Sequence, residues 1–249
     1  MSSIKDIQER HLELQTPRVL SDAVMDLTKM VVANKLRLQH LNPEDSWGNG
    51  QIIDIISNLE RMRNQITSHA KEKWGKTRLS EWCDRTKGLS NTAELLFNSF
   101  DVKKYKLGQI YSYLGLTPSS KLKRGEQAHH NPALKGKIYM FAKSCIMHKD
   151  PYYYPLYKAK QAYTAKRKDR KELKKTEKGW KAHNNNLATR WLMKLLISHA
   201  YELMREQKHL EVYKHHPHIP PKPTSEKQIK TTLRKLIPII KLGKATKRR

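Results

Sequence analysis

Apolar residues return at helical spacing over two long stretches near the N-terminus, and strand-type alternation is scarce throughout the chain. Val19, Leu20, Ala23, Val24, Leu27, Met30, Val31, Asn34 and Leu38 trace one stripe. The spacing predicts a helix that starts after Pro17 and ends near Leu41, where Asn42-Pro43 and Gly48-Asn49-Gly50 are breakers. Ile52, Ile53, Ile56, Leu59, Met62 and Ile66 trace a second helix, with Trp74 near its end. Two long amphipathic helices with a short turn between them read as an antiparallel hairpin. Both apolar stripes are read as core packing.

Shorter helices follow over about 77–86, 91–100 and 104–114. Between the first two lies Lys87-Gly88-Leu89-Ser90-Asn91, in which Gly88 permits a tight turn and Ser90 or Asn91 can cap the next helix. A polar loop after Pro118 leads to Asn131-Pro132, a cap followed by a first-turn proline, and this predicts a helix to about Met147. The Tyr152-Tyr153-Tyr154-Pro155 run leads into a helix that becomes intensely basic between Lys158 and Lys181. Trp191, Leu192, Leu195, Leu196, His199, Ala200 and Leu203 then form an apolar helix face, and HHPHIPPKP breaks it. A short amphipathic piece around Leu233, Leu236 and Ile237 precedes a basic end. The expected fold is all-α. An N-terminal helical hairpin (1–75) precedes a compact helical domain (76–221) containing a helix-hairpin-helix-like element, and a basic tail (222–249) follows.

Charge narrows the function. The chain carries 50 Lys and Arg against 23 Asp and Glu, a net +27. Residues 1–60 hold six basic and nine acidic side chains, so they are −3 and the remainder is +30. A surplus of this size repels itself unless a polyanion neutralises it, and nucleic acid is the commonest polyanion in a cell. Double-stranded DNA is the leading partner, with RNA as the alternative. The near-neutral N-terminal part reads as a packing or partner element, through which a homo-oligomer is open. Cys83 and Cys145 make neither a disulfide framework nor a CxxC site, which fits a reducing compartment. No run approaches the ~18 apolar residues of a membrane span, and MSSIKDIQER has no secretory apolar region. A cytoplasmic, nucleoid-associated location with no membrane partner is expected.

Several segments are candidate DNA contacts. Lys87, Gly88, Ser90 and Asn91 would offer a phosphate the N–H groups of a turn entering a helix. Lys121, Lys123 and Arg124 form a cationic loop, Lys135 and Lys137 lie on the helix after Pro132, and Arg190 precedes Trp191. Lys166, Arg167, Lys168, Lys171 and Lys175 read first as a solvated helix face, and also as a phosphate-tracking rail. The tyrosines from Tyr152 to Tyr163 could stack on bases or pack against the Trp191 helix. His129, His130, His215, His216 and His218 lack carboxylate or cysteine partners at ligand spacing, so no metal site and no cofactor are expected.

The order of motifs carries a resemblance. NLERMRNQI (58–66), KGLSNTAELL (87–96) and YSYLGLTP (111–118) are followed by Arg124-Gly125 and NPALKGKIYMFAKS (131–144). DPYYYPLYKAK (150–160), AHNNNLATRWLMKLLISHAYELMRE (182–206) and HIPP (218–221) complete the series. Over about residues 50–221 it resembles the C-terminal, serine-bearing helical domain of the DEDD-type insertion-sequence transposases. There a "GIG-x-TA" hairpin precedes a "YLGL-x-P" turn, a serine-glycine and a basic helix. The resemblance implies DNA binding in transposition or recombination. Two departures qualify what it implies about catalysis. The family's metal-binding carboxylates lie in a RuvC-like domain of strands, which residues 1–60 are too short and too helical to supply. Arg124 stands where the nucleophilic serine is expected before Gly125, leaving Ser119 and Ser120 as the nearby candidates for a catalytic or a merely loop-capping role. The expectation is a transposase-related DNA-binding protein that is truncated, domesticated or dependent on a nuclease partner. The alternative is a non-catalytic architectural DNA- or RNA-binding protein.

Overall fold

The structure is a computed structural model that describes residues 4–41, 46–74, 77–89, 91–117, 130–166, 177–210 and 226–242. Among these residues it holds nine helices and no strand. They are α1 (Ile4–Gln39), α2 (Ser46–Trp74), α3 (Arg78–Arg85), α4 (Asn91–Asn98), α5 (Leu107–Tyr113), α6 (Pro132–Met147), α7 (Tyr153–Ala165), α8 (Glu177–Gln207) and α9 (Glu226–Leu242). Contacts divide the chain into two units: Met1–Asp84 with Ser90–Asp101, and Arg85–Leu89 with Val102–Arg249. The first unit runs past the boundary at residue 75 drawn from the sequence, and α9 belongs to the second.

In unit 1, α1 and α2 form the expected long hairpin. Its seam is Val31, Ile56 and Leu59, flanked by Leu27, Leu38 and Ile52. Both helices begin earlier than the sequence predicts. Pro17 lies inside α1 and is itself buried, and α2 runs through Gly48 and Gly50. Proline and glycine each disfavour a helix interior locally, but packing along a long helix outweighs a single such residue. The apolar stripes are also not wholly core. Val19 is 60% exposed, Met30 50%, and Ile53 and Met62 likewise 50%, because a two-helix hairpin buries only a narrow seam. On the hairpin's surface Lys35 Nζ meets Glu60 Oε1 at 2.8 Å, and this hydrogen bond holds the Glu60 carboxyl below its ordinary range.

Helices α3 and α4 complete unit 1. Leu79, Trp82 and Cys83 of α3 and Ala93, Leu95, Leu96 and Phe97 of α4 are buried, and the Trp82 and Phe97 ring centroids are 5.8 Å apart. The hydroxyl of Ser21 on α1 donates to the Thr92 carbonyl on α4 at 3.3 Å.

Unit 2 is built on α8. Helices α5, α6 and α7 each pack on it, and α9 packs on α7, placing Leu236 in the interior. The buried face of α8 carries Ala188, Leu192, Leu195, Leu196, His199, Ala200 and Leu203. Helix α6 has the ends predicted for it: Asn131 Oδ1 accepts from the Leu134 N–H at 3.0 Å, Pro132 is the first helical residue, and the helix stops at Met147. Asp150 starts α7, its Oδ1 accepting from the N–H groups of Tyr152 (2.9 Å) and Tyr153 (2.7 Å). The basic run from Lys158 to Lys181 is shared between the end of α7 and the start of α8, with 167–176 outside the described residues.

The two units differ sharply in charge. Unit 1 holds 12 Lys and Arg against 14 Asp and Glu, a net −2. Unit 2 holds 38 against 9, a net +29. Among the described residues no helix is long and apolar enough to cross a membrane.

Candidate nucleic-acid interface

The turn read as a phosphate-binding hairpin has a second use for its glycine. The Leu89 N–H donates to the Thr86 carbonyl at 3.0 Å, closing a tight turn around Gly88, whose φ of +97° suits glycine alone. A Cβ on Gly88 would stand 2.5 Å from the Ser144 carbonyl carbon and 2.6 Å from the Cys145 nitrogen. The close approach that demands glycine is therefore to the backbone of α6. The Lys87 N–H donates to Asp150 Oδ2 at 2.9 Å, while the Lys87 side chain is exposed. Asn91 is the first residue of α4, and Ser90 lies outside the described residues. The turn belongs to unit 2 and α4 to unit 1.

The accessible side of α8 holds a second group of candidates. Leu187, Arg190, Trp191 and Lys194 recur at i, i+3, i+4 and i+7, and all four are half-buried. Arg190 Nη2 donates to the Gly115 carbonyl at 3.1 Å and the Thr117 carbonyl at 2.9 Å, which fixes the guanidinium at the C-terminal end of α5. Gly115 itself has a φ of +64° and sits so close to the His130 ring that a Cβ would come within 2.4 Å of it. Lys194 Nζ lies 5.5 Å from the Tyr111 ring centroid. The Tyr111 hydroxyl bonds the Ser198 hydroxyl and donates to the Lys194 carbonyl at 3.1 Å. From α7, Lys160 Nζ lies 4.6 Å from the Tyr163 ring and 5.7 Å from the Trp191 ring.

The Arg190 charge acts on two lysines. Burial, and then the Arg190 charge, hold Lys135 on α6 below the ordinary lysine range, and the same two causes act on Lys194. Neither lysine has an ion pair with a carboxylate among the described residues. Burial pushes the Tyr111 hydroxyl up to about 12, against the Ser198 hydrogen bond.

Of the residues expected at an interface, Arg190 lies half-buried on α8 and Lys135 half-buried on α6; Lys194, Lys160 and Trp191, which sequence reasoning assigned elsewhere or passed over, are half-buried on α8 and α7. The signal was present in Arg190 and Lys194, an i, i+4 cation pair within the apolar stretch Trp191–Ile197 and its flank. Lys137 is half-buried on α6, and Lys166 is exposed just beyond α7. Ser119, Ser120, Lys121, Lys123, Arg124, Arg167, Lys168, Lys171 and Lys175 lie outside the described residues.

The tyrosines divide by burial. Tyr152, Tyr153 and Tyr157 are buried against α8: the Tyr153 hydroxyl meets His199 Nδ1 at 2.7 Å, and the Tyr157 hydroxyl bonds Asn185. Tyr154 and Tyr163 are half-exposed. Among the described residues no group of three His, Cys, Asp or Glu side chains converges to hold a metal. Compared with protein-family models, with curated proteins and with solved structures, the chain matches none of them.

Proposed function

We propose that this chain is a nucleic-acid-binding protein that engages double-stranded DNA through unit 2 and is related to the insertion-sequence transposases. The observation that carries the reading is the segregation of charge: +29 on unit 2 against −2 on unit 1. A helical unit with about four cations for each carboxylate binds phosphate by counterion release, without needing to read bases. The transposase relationship and the preference for DNA rest on the ordered motif series alone. They predict binding without strand cleavage by this chain, and a location on the nucleoid.

The discriminating experiment compares duplex DNA, single-stranded DNA and structured RNA of equal length, binding each to the full chain at several salt concentrations. Preference for the duplex supports the reading. Preference for structured RNA replaces DNA as the ligand, and indifference to sequence as well as to strandedness favours the architectural alternative.

A further inference from the structure

We propose that an aromatic and cationic stripe of α8, together with Lys160 and Tyr163 of α7, binds unpaired DNA bases. The proposal rests on the nucleic-acid reading of unit 2. It deepens that reading by separating what the charge holds, the duplex backbone, from what the rings hold.

Trp180, His183, Leu187, Arg190, Trp191 and Lys194 stand at i, i+3, i+7, i+10, i+11 and i+14, which places them along one side of α8. All six are half-buried, whereas Ala188, Leu192 and Leu195 between and beyond them are buried. The stripe runs for about 21 Å of helix. That is the length of several stacked bases at about 3.4 Å each.

The rings stand beside cations or beside one another. Lys160 Nζ lies 4.6 Å from the Tyr163 ring centroid and 5.7 Å from that of Trp191, so one ammonium serves rings on two helices. Lys194 Nζ lies 5.5 Å from the Tyr111 ring, and the Trp180 and His183 rings are 6.0 Å apart. Tyrosines of α7 that serve packing look different: Tyr153 and Tyr157 are buried, and their hydroxyls bond His199 and Asn185 of α8. Tyr163 and Trp191 are only half-buried and keep part of their surface open.

An unpaired nucleotide offers a π face and, beside it, a phosphate. A ring takes the first by stacking and a neighbouring cation takes the second. Arg190 supplies a cation of fixed position in the middle of the stripe, because the Gly115 and Thr117 carbonyls hold its guanidinium. Bases inside a duplex present only their edges in the grooves. The rings therefore add affinity for unpaired bases and none for a blunt duplex.

The full chain is titrated by fluorescence anisotropy, at one salt concentration, with a blunt DNA duplex and with the same duplex carrying a short unpaired thymine tail. Wild type should bind the tailed duplex about tenfold more tightly. Y163L/W191L should lose that gain and keep the blunt-duplex affinity, and Y163F/W191F, which retains two rings, should keep both. Y105L is the control: Tyr105 is 43% exposed with Lys104 Nζ 5.3 Å from its ring, and its loss should leave the gain intact. Far-UV circular dichroism checks folding. Where Y163L/W191L does not fold, Y163L alone should lose part of the gain.

Full retention of the gain by folded Y163L/W191L, or by Y163L in its place, overturns the site, as do equal losses in Y105L. If the blunt duplex binds and the tail adds nothing, the site falls and the reading stands. If the tailed duplex binds through the two rings and the blunt duplex does not, the duplex reading falls and the site stands. If neither binds, both fall.

Discussion

The Asp150 carboxylate accepts a hydrogen bond from the backbone N–H of Lys87 at 2.9 Å, across 63 residues of sequence. Its other oxygen holds the N–H groups of Tyr152 and Tyr153. One buried side chain thus starts α7 and fastens the Gly88 turn to unit 2. Burial raises its carboxyl above the usual range, and the three N–H donors oppose that. Asp150→Ala leaves three N–H groups without their acceptor and should destabilise unit 2 by about 3 kcal/mol, read from the urea midpoint. Asp150→Asn retains one carbonyl oxygen and should lose about half as much. Equal, small losses in both would mean that the carboxylate is dispensable.

Glycines offer a paired test. A Cβ at Gly88 meets the α6 backbone, so Gly88→Ala should already destabilise and Gly88→Val should do so severely. At Gly50 and Gly136 an added Cβ meets nothing within 4 Å, and both are helical. Alanine there should stabilise by about 0.5–1 kcal/mol. Thermal melts of the four variants check the contrast. DNA binding by Gly88→Ala, measured where it is still folded, then tells whether the turn also touches phosphate: wild-type affinity would leave it as a connector only.

Glu94 of α4 is 3% exposed, and burial pushes its carboxyl up to about 7, with the Ser80 hydroxyl opposing the effect, Asp84 adding to it and Lys71 opposing it. The folded-state value lies above the unfolded one of 4.5. Its contribution to stability is therefore fully present below pH 4.5 and is lost as pH rises through 7. After allowance for solvent screening the loss should be about 1–3 kcal/mol. The difference in unfolding free energy between wild type and Glu94→Gln, followed from pH 4.5 to 8, checks it. A difference that does not change over that range would contradict the buried, protonated carboxyl.

How much was legible depended on how local each signal was. The ends of α6 could be read because Asn131 and Pro132 act within one turn of themselves. The starts of α1 and α2 could not, because packing tens of residues long overrode the local preferences of Pro17, Gly48 and Gly50. Gly88 was read as the glycine of a tight turn that meets phosphate, and the tight turn is there. Its neighbour is the backbone at Ser144, brought there by tertiary contacts that spacing does not encode. Arg190 was named from sequence and Lys194 was not, since the apolar periodicity of α8 hid which of its faces stays open to solvent. That the tyrosines from Tyr152 divide into buried and half-exposed groups likewise depends on where α8 lies.

Catalysis should be absent. Given magnesium or manganese and duplex, nicked or branched DNA, the purified chain should neither cut nor join strands, because the resemblance lacks its carboxylate domain and meets Arg124 where it expects serine. A denaturing gel reads the outcome. Covalent protein–DNA adducts that disappear in Ser119→Ala or Ser120→Ala would make the segment after Pro118 an active site.

The most direct test of the central claim is the salt dependence of DNA affinity. If about six to ten phosphates are contacted, log K should fall against log salt with a slope of roughly −5 to −9. Replacing Lys166, Arg167, Lys168, Lys171 and Lys175 together with glutamine should make that slope shallower and weaken all sequences about equally. A steep slope for wild type, reduced in the variant, is the predicted result. A slope near zero would contradict the account and remove nucleic acid as the partner of this chain.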